Sequence, residues 1–599
     1  MTAPTTPAAA SSAASTGSVL GRRASIYLSV SVALIVVTGF LGPSATEPSL
    51  PGRHKLLPPY FVVANPSPWL VSGLILVFLL LGGWGVHVGL KAIESGWRPN
   101  LRKLAPTAVI GAIAVAQVPP MGSGDILMYA AYGRIADHYH GDVYSLTPDE
   151  ISRFTYDPVT SMVERPWQNT PSVYGPIATW AQQFASWIGG DSVHLTVWIL
   201  QAINAATFIL AGLLVLKLAG SDPAARTRAL LMVLANPVLI WALVAGAHND
   251  AQAALFGLMA LLALKKSPAS AGVLLGIAGA IKLSLGFYGL ALLWALRGTK
   301  RGMGELVGGA AVSLVGLYLT TSRHAFDQIL TASKFMSTGT PAKMLYAPLS
   351  WVFSDNLSRR ILSAIVWVVL AVIVAMLMQV MPKVIARHEL SKAERAELAA
   401  ESARLAVPGR AVSLLTRLTG GAGYDGEAVQ ADALKAAVAV TFVWLVTALY
   451  SLPWYDIVTW MPLAGLVASR LDRLLLTRTT VMAIGYIPGR DADLSPVLQF
   501  ITDRLRDTVA PIVQTAIIVL LVRWSIRRGA MGPRGILAWL RDPQRRRRRG
   551  ASTPAMASAG ISGRTIADPS TSPESLASMP STPVSASDQT PSRNDGQTS

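Results

Sequence analysis

Apolar stretches of about 20 residues recur along most of this chain, which is the length that an α-helix needs to cross a bilayer. Hydrophobic residues make up 52% of the sequence and charged residues 14%, a balance too apolar for a water-soluble globule. Only helices and closed barrels satisfy their backbone polar groups within a bilayer. We therefore predict an all-α polytopic membrane protein.

The hydropathy pattern predicts about 12–14 transmembrane helices within residues 24–526. The predicted spans before the middle of the chain are 24–43, 68–90, 105–121, 193–217, 227–247 and 251–264. Those after it are 303–321, 360–382, 434–452, 457–471, 476–488 and 508–526. Pro237 lies within one span and predicts a kink, because proline removes an amide hydrogen and clashes with the preceding turn. Basic residues flank alternate spans, which predicts a plasma-membrane protein with both termini in the cytoplasm.

The segment 269–297 has basic residues at both ends, so both ends are expected on the same side of the membrane. Two full crossings would need about 40 residues, more than this segment contains. We therefore predict two shortened helices that meet near Lys282. Interrupted helices are tolerated at membrane depth where they line a water-filled cavity or are buried in protein.

Three polar segments lie outside the predicted spans. We expect disordered cytoplasmic tails at 1–23 and 527–599 and a polar cytoplasmic segment at 383–432. Ten arginines between residues 523 and 549 supply much of the net charge of +18. Their position beside the last span favours membrane lipids over nucleic acid as partners. The chain has no cysteine, which excludes disulfides and thiolate chemistry.

The loop 121–192 is predicted to face the cell exterior and to carry the catalytic residues, because long polar loops on a membrane scaffold are typical sites of function. It contains eight acidic residues and three arginines. Asp125 follows the end of a span directly, with Tyr129 and Tyr132 on the same helical face. One interpretation is that Asp125 caps a helix. The other is a general base whose pKa is raised by partial desolvation.

Further candidates lie at the ends of other spans. His248, Asn249 and Asp250 could cap a helix or bind sugar hydroxyls. Lys282 is an intramembrane cation, which favours a functional role such as binding a phosphate. Arg134, Arg323 and Lys334 are either phosphate ligands or solvated loop charges. Aromatic residues that could stack on sugar rings or form an interfacial belt are Trp167, Tyr174, Trp454 and Tyr455.

The order of these motifs resembles the actinobacterial polyprenyl-phosphate-mannose-dependent α-1,6-mannosyltransferases of the GT-C superfamily, which build the lipomannan backbone. The resemblance covers roughly residues 105–300. The motifs that carry it are Gly124-Asp125 with Tyr129, Asp142-Val143-Tyr144, Trp167 with Thr170 to Pro176, Ala235-Asn236-Pro237, Gly246 to Asp250 and Ile281-Lys282-Leu283.

The resemblance implies an inverting transfer of mannose from polyprenyl-phosphate-mannose to a mannan or lipoglycan acceptor. Asp125 would be the general base, while Lys282 and Arg323 would hold the leaving phosphate. Because phosphate is a good leaving group, no second catalytic acid is needed, unlike in the two-carboxylate glycosidases. Neither a metal nor another cofactor is expected.

Two other interpretations remain open. The first is transfer of another lipid-phosphate sugar, such as an arabinofuranose, to the same envelope glycans. The second is a flippase or transporter for a lipid-linked sugar, which the interrupted helices around Lys282 would also suit. Against it, long polar loops lie on one side of the membrane, whereas alternating access usually involves paired repeats.

Overall fold

A computed structural model describes residues 7–51, 56–165, 167–332, 335–385, 425–490 and 494–532. Within these ranges the regular elements are helices, which confirms the predicted all-α class. Seven of them are long and apolar enough to cross a membrane. This is fewer than the 12–14 predicted, because the remaining helices of the described ranges are shorter, interrupted or more polar.

The first three helices are α1 (Pro7–Phe40), α2 (Pro68–Glu94) and α3 (Leu101–Val115). Helix α1 begins at Pro7, within the segment 1–23 for which the sequence predicts a disordered tail. Close packing joins α1 to α2: the Ser31 hydroxyl donates a 2.7 Å hydrogen bond to the Phe78 carbonyl. Helix α3 is shorter than the predicted span and ends before the turn that leads to Asp125.

The 121–192 loop folds into three α-helices, α4 (Asp125–Asp137), α5 (Pro148–Phe154) and α6 (Pro176–Gly189). Thr147 and Glu150 form a capping box at the start of α5, in which each side chain binds the other's backbone amide. Helix α4 is buried along most of its length, between α6 and the membrane helices. The loop is therefore a packed layer that carries Asp125 on a rigid element.

Four helices follow: α7 (Val193–Leu218), α8 (Pro223–Met232), α9 (Pro237–Ile240) and α10 (Asp250–Ala263). The predicted interruption at Pro237 is confirmed, because α8 ends at Met232 and α9 restarts at the proline. A π-helical turn, Trp241–Ala245, then leads to His248. Such turns are frequent at functional sites.

The predicted break at Lys282 is also confirmed. Helix α11 (Pro268–Gly279) ends just before Lys282, and α12 (Gly286–Ala295) begins after a short 3₁₀ turn, Leu283–Leu285. Lys282 itself has extended backbone angles. The break takes Lys282 out of the helical backbone, and its ammonium group reaches Asp250 at the start of α10.

The second half contributes α13 (Lys300–Tyr318), α14 (His324–Ala332), α15 (Pro341–Val352) and α16 (Asp355–Ile385). After these come α17 (Gly426–Thr447), α18 (Ile457–Ala464), α19 (Arg470–Ile484), α20 (Pro496–Arg504) and α21 (Ala510–Arg527). Most of the predicted polar segment 383–432 and of the C-terminal tail lies outside the described residues.

Candidate active site

A cavity of about 640 Å³ lies where the 121–192 loop, the broken α11–α12 segment and the second half of the chain meet. Asp125, Lys282 and Tyr455 all line it, although they are far apart in the sequence. Aromatic and aliphatic side chains form most of the remaining wall, with few polar groups. A largely apolar cavity with a few convergent polar groups is typical of a ligand site.

Asp125 is the first residue of α4, and Gly124 occupies the capping position. The carboxylate is therefore not the cap that one interpretation of the sequence required. The Asp125 amide instead donates to the Ser123 hydroxyl at 3.1 Å. Gly122 has a φ of +81°, and a Cβ there would lie 2.5 Å from the Trp241 ring, so the turn before Asp125 requires glycine.

The Asp125 carboxyl group is suited to proton transfer near neutral pH. Burial raises the pKa of Asp125 to about 6, and the Lys282 ammonium group opposes this shift. His248 Nδ1 lies 3.5 Å from Asp125 Oδ2. Burial, reinforced by Lys282, lowers the pKa of His248 well below its usual value, so the imidazole is neutral. Its ring stacks on Trp454 with centroids 3.6 Å apart.

Lys282 forms a buried ion pair with Asp250. Its Nζ donates to the two carboxylate oxygens at 2.9 and 2.7 Å. The ammonium also lies 4.3 Å from the centroid of the Tyr455 ring, a cation–π distance. Asp250 thus holds Lys282 at the cavity wall, where a positive charge can meet an incoming anion.

The tyrosines on the Asp125 face of α4 lie behind the wall. Tyr129 contacts Tyr174 edge to face at 5.1 Å, and their hydroxyl groups are 3.4 Å apart. Tyr132 is fully buried and donates to the Thr170 carbonyl at 2.8 Å. Tyr174 itself lines the cavity, as does Trp167. The pair of tyrosines on α4 therefore supports the wall from behind.

The structure does not bring every candidate to the cavity. Arg134 is buried and forms ion pairs with Asp157 at 2.8 Å and Asp191 at 2.5 Å. Arg323 is exposed just before α14. The described residues that line the cavity include neither arginine, and Lys334 lies outside the described residues.

Asn249 is buried next to His248, outside the described cavity lining. Within the described ranges its amide oxygen and nitrogen have no hydrogen-bond partner. It is also the residue before α10, but its side chain makes no capping bond. Its predicted role in sugar binding therefore remains a prediction.

Several residues near the site have no motif in the sequence. Trp444, Tyr450, Phe335 and Trp367 line the cavity from the second half of the chain. Aromatic residues in apolar segments are common in membrane proteins, so sequence alone could not separate these from core or interfacial aromatics.

Residues 28–298 match the sequence model of a family described as alpha-(1->6)-mannopyranosyltransferase, N-terminal domain. These residues are similar to that family's N-terminal domain. The match includes the 121–192 loop with Asp125, the His248 turn and the broken segment around Lys282. The wall that carries Trp454 and Tyr455 lies beyond it.

Two relatives support this resemblance. The chain is 27% identical over 215 residues to alpha-(1->6)-mannopyranosyltransferase A of Corynebacterium glutamicum. It is 28% identical over 244 residues to a probable alpha-(1->6)-mannopyranosyltransferase of Mycolicibacterium smegmatis. Each match covers 34% of this chain, and the chain spans 42% of the length of each relative. No solved structure matches the chain.

Proposed function

We propose that this protein is an inverting mannosyltransferase that moves mannose from a polyprenyl-phosphate donor to a hydroxyl group of a mannan or lipoglycan, forming an α-1,6 linkage. One observation carries the proposal: Asp125 and Lys282, a carboxylate and an ammonium from distant parts of the chain, line the same cavity. The matched family and the relatives support mannose as the transferred sugar.

In the proposed reaction, Asp125 accepts the proton of the acceptor hydroxyl group as that oxygen attacks the anomeric carbon. The bond between this carbon and the phosphate oxygen breaks, and its electron pair leaves with the lipid phosphate. Attack from the side opposite the phosphate inverts the anomeric centre, so a β-linked donor gives an α-mannoside. The protonated Asp125 then releases its proton to water.

Lys282 is proposed to stabilise the negative charge that develops on the leaving phosphate. Its partner Asp250 fixes the ammonium at the wall and keeps it from turning away from the cavity. Neutral His248 can donate its Nδ1 hydrogen to Asp125 after a small adjustment from the present 3.5 Å. This contact would orient the carboxylate without adding a charge beside it.

A lipid donor is supported by the apolar part of the cavity. Phe287 of α12 and Val366, Trp367 and Leu370 of α16 line this part, and the Phe287 and Trp367 ring centroids are 6.5 Å apart. Helix α16 is a candidate membrane span in which most residues are not fully buried, and Trp367 is itself exposed. A polyprenyl chain could therefore enter between these helices from the membrane while its phosphate approaches Lys282.

The proposal is tested with purified full-length protein in lipid nanodiscs. Polyprenyl-phosphate-mannose with a radiolabelled sugar is supplied together with a short α-1,6-mannoside acceptor, and the product linkage is determined by linkage-specific exomannosidase digestion. We expect label in an α-1,6-linked product. Matched reactions contain GDP-mannose or polyprenyl-phosphate-arabinose in place of the donor.

Transfer from the arabinose lipid alone would identify the runner-up activity. Movement of labelled lipid between leaflets of liposomes, without transfer to the acceptor, would instead indicate a flippase. Either result would overturn the mannosyltransferase proposal.

A further inference from the structure

Arg490, in the segment after α19, links three loops that are distant in the sequence. Its Nη1 donates to the Ser44 carbonyl at 2.7 Å and to the Glu47 carbonyl at 2.6 Å. Its Nε donates to Glu164 Oε1 at 2.8 Å, and Nη2 binds the same oxygen. Both side chains of the ion pair are mostly buried, so water screens the pair weakly.

These loops surround the turn that precedes Asp125. The Gly122 amide donates to the Thr46 carbonyl at 3.0 Å. Gly124 faces Glu164 so closely that a Cβ there would lie 2.8 Å from Glu164 Oε2. Gly489, the neighbour of Arg490, packs its backbone on Gly122, and a Cβ on Gly489 would lie 2.3 Å from the Gly122 Cα.

We propose that Arg490 is a positioning residue for Asp125, acting with Glu164 through the turn formed by residues 122–124. The proposal rests on the proposed function, since it assumes that Asp125 is the base. Arg490 holds together the Ser44–Glu47 loop and the loop that carries Glu164, which lie on either side of the turn. The Asp125 carboxylate therefore keeps a fixed position relative to the acceptor hydroxyl. Arg490 lies outside the matched residues 28–298, so the C-terminal half would also determine the geometry of the catalytic carboxylate.

The physical reason lies in the form of the guanidinium group. Its fork of N–H groups binds a carboxylate and two carbonyls at once, which a lysine ammonium reproduces only in part. Each of these partners belongs to a segment that touches the turn. If the clamp is lost, a shift of about 1 Å in a catalytic group can reduce the rate roughly 100-fold without loss of the fold.

The test compares Arg490→Met, Arg490→Lys and Glu164→Gln in the full-length protein in nanodiscs. The matched control is Arg473→Met, which removes an arginine that pairs with Glu94 at 2.8 Å on exposed surface. For each variant, kcat, the KM for the donor and the melting temperature are measured. We expect Arg490→Met to lower kcat roughly 10- to 100-fold with a donor KM within about threefold of wild type.

Partial recovery is expected in Arg490→Lys and an intermediate loss in Glu164→Gln, while Arg473→Met keeps wild-type kcat. If Arg490→Met does not fold, Glu164→Gln decides the question, because it keeps the size of the side chain. A lower kcat in Glu164→Gln with an unchanged melting temperature supports the proposal. Wild-type kcat in folded Arg490→Met, or in Glu164→Gln, would overturn it.

Asp125→Asn separates this proposal from the function itself. If that variant retains transfer, the proposed function fails, and the positioning role fails with it. If that variant loses transfer while the Arg490 and Glu164 variants keep wild-type kcat, only the positioning role fails.

Discussion

Two of the buried clusters of charge in this protein differ in whether their polar groups are satisfied. In the first, Arg228 of α8 donates to both Asp472 oxygens at 2.8 and 2.6 Å, and to backbone carbonyls at the end of α18. In the second, Asp125 and Lys282 line a cavity, and buried His248 lies 3.5 Å from the Asp125 carboxylate. There, within the described part of the chain, His248 Nδ1 has no hydrogen-bond partner.

The difference is the one expected between a structural cluster and the proposed catalytic one. The N–H groups of Arg228 all donate to protein acceptors, so the residue joins helices and has no free donor for a ligand. The cavity cluster keeps unused hydrogen-bonding capacity and a carboxyl group with a raised pKa, which is a common feature of catalytic sites. Arg134, with its two aspartate partners, resembles the first cluster.

The largest effect on catalysis is expected from Asp125→Asn. The amide cannot accept the acceptor proton, so we expect kcat for mannosyl transfer to fall about 100- to 10,000-fold. Because burial penalises the Asp125 charge, the variant should melt at the same temperature as wild type at pH 7, or higher. Donor binding, measured with a fluorescent lipid analogue, should remain. Transfer at a wild-type rate would mean that the Asp125 cluster has a structural role, like the Arg228 cluster.

Arg228→Met should show the opposite pattern. It leaves Asp472 buried without its cation, which typically costs about 3–5 kcal/mol of stability. We expect a large fall in melting temperature, while the kcat of the folded fraction stays near that of wild type. The control is the double variant Arg228→Met, Asp472→Asn, which removes the unpaired charge and should recover part of the stability. A loss of kcat at constant stability would contradict the structural role.

Both clusters are formed by residues that are far apart in the sequence, so the sequence alone does not predict that they are in contact. Sequence could predict the break at Lys282 from the length of the segment, and Asp125 from its place after a span. It could not predict that Lys282 pairs with Asp250, because a salt bridge between separate helices leaves no local pattern. For the same reason the sequence leaves Arg134 as either a phosphate ligand or a solvated loop charge, whereas the fold surrounds it with two carboxylates.

Arg490 illustrates a second limit of the sequence. It follows a short helix in a segment without a motif, and its carbonyl partners at Ser44 and Glu47 are backbone atoms that any residue would supply. The span count meets a related limit: in the described part of the chain, seven helices have the length and apolarity of a membrane span, against the 12–14 predicted. Helices such as α18 are apolar but short and buried by neighbours, so hydropathy did not separate them from crossing helices.

Lys282→Met is expected to reduce kcat about 100-fold, the typical effect of removing one group that stabilises developing negative charge. A double variant with Asp250→Asn tests which role the lysine has. If Lys282 merely neutralises Asp250, the double variant should recover activity. If it stabilises the leaving phosphate, activity should stay low, and Lys282→Arg should retain more than either. Full recovery of kcat in the double variant would mean that Lys282 has only the structural role of neutralising Asp250.

The smallest predicted effect is the pH dependence of transfer. A general base works when ionised, and the pKa of Asp125 is raised to about 6, so kcat/KM should fall about tenfold per pH unit below that value. The stability of the fold changes in the opposite direction with pH. Ionisation of the buried Asp125 carboxyl group lowers the free energy of unfolding above about pH 6, and this loss disappears as the pH falls toward the ordinary pKa of an aspartate. Wild type should therefore gain melting temperature relative to Asp125→Asn between pH 7 and pH 5, while it loses activity. A midpoint below about pH 5 on the acid side of the kcat/KM profile would mean that Asp125 is well hydrated. The contrast between the two clusters would then depend on Lys282 alone.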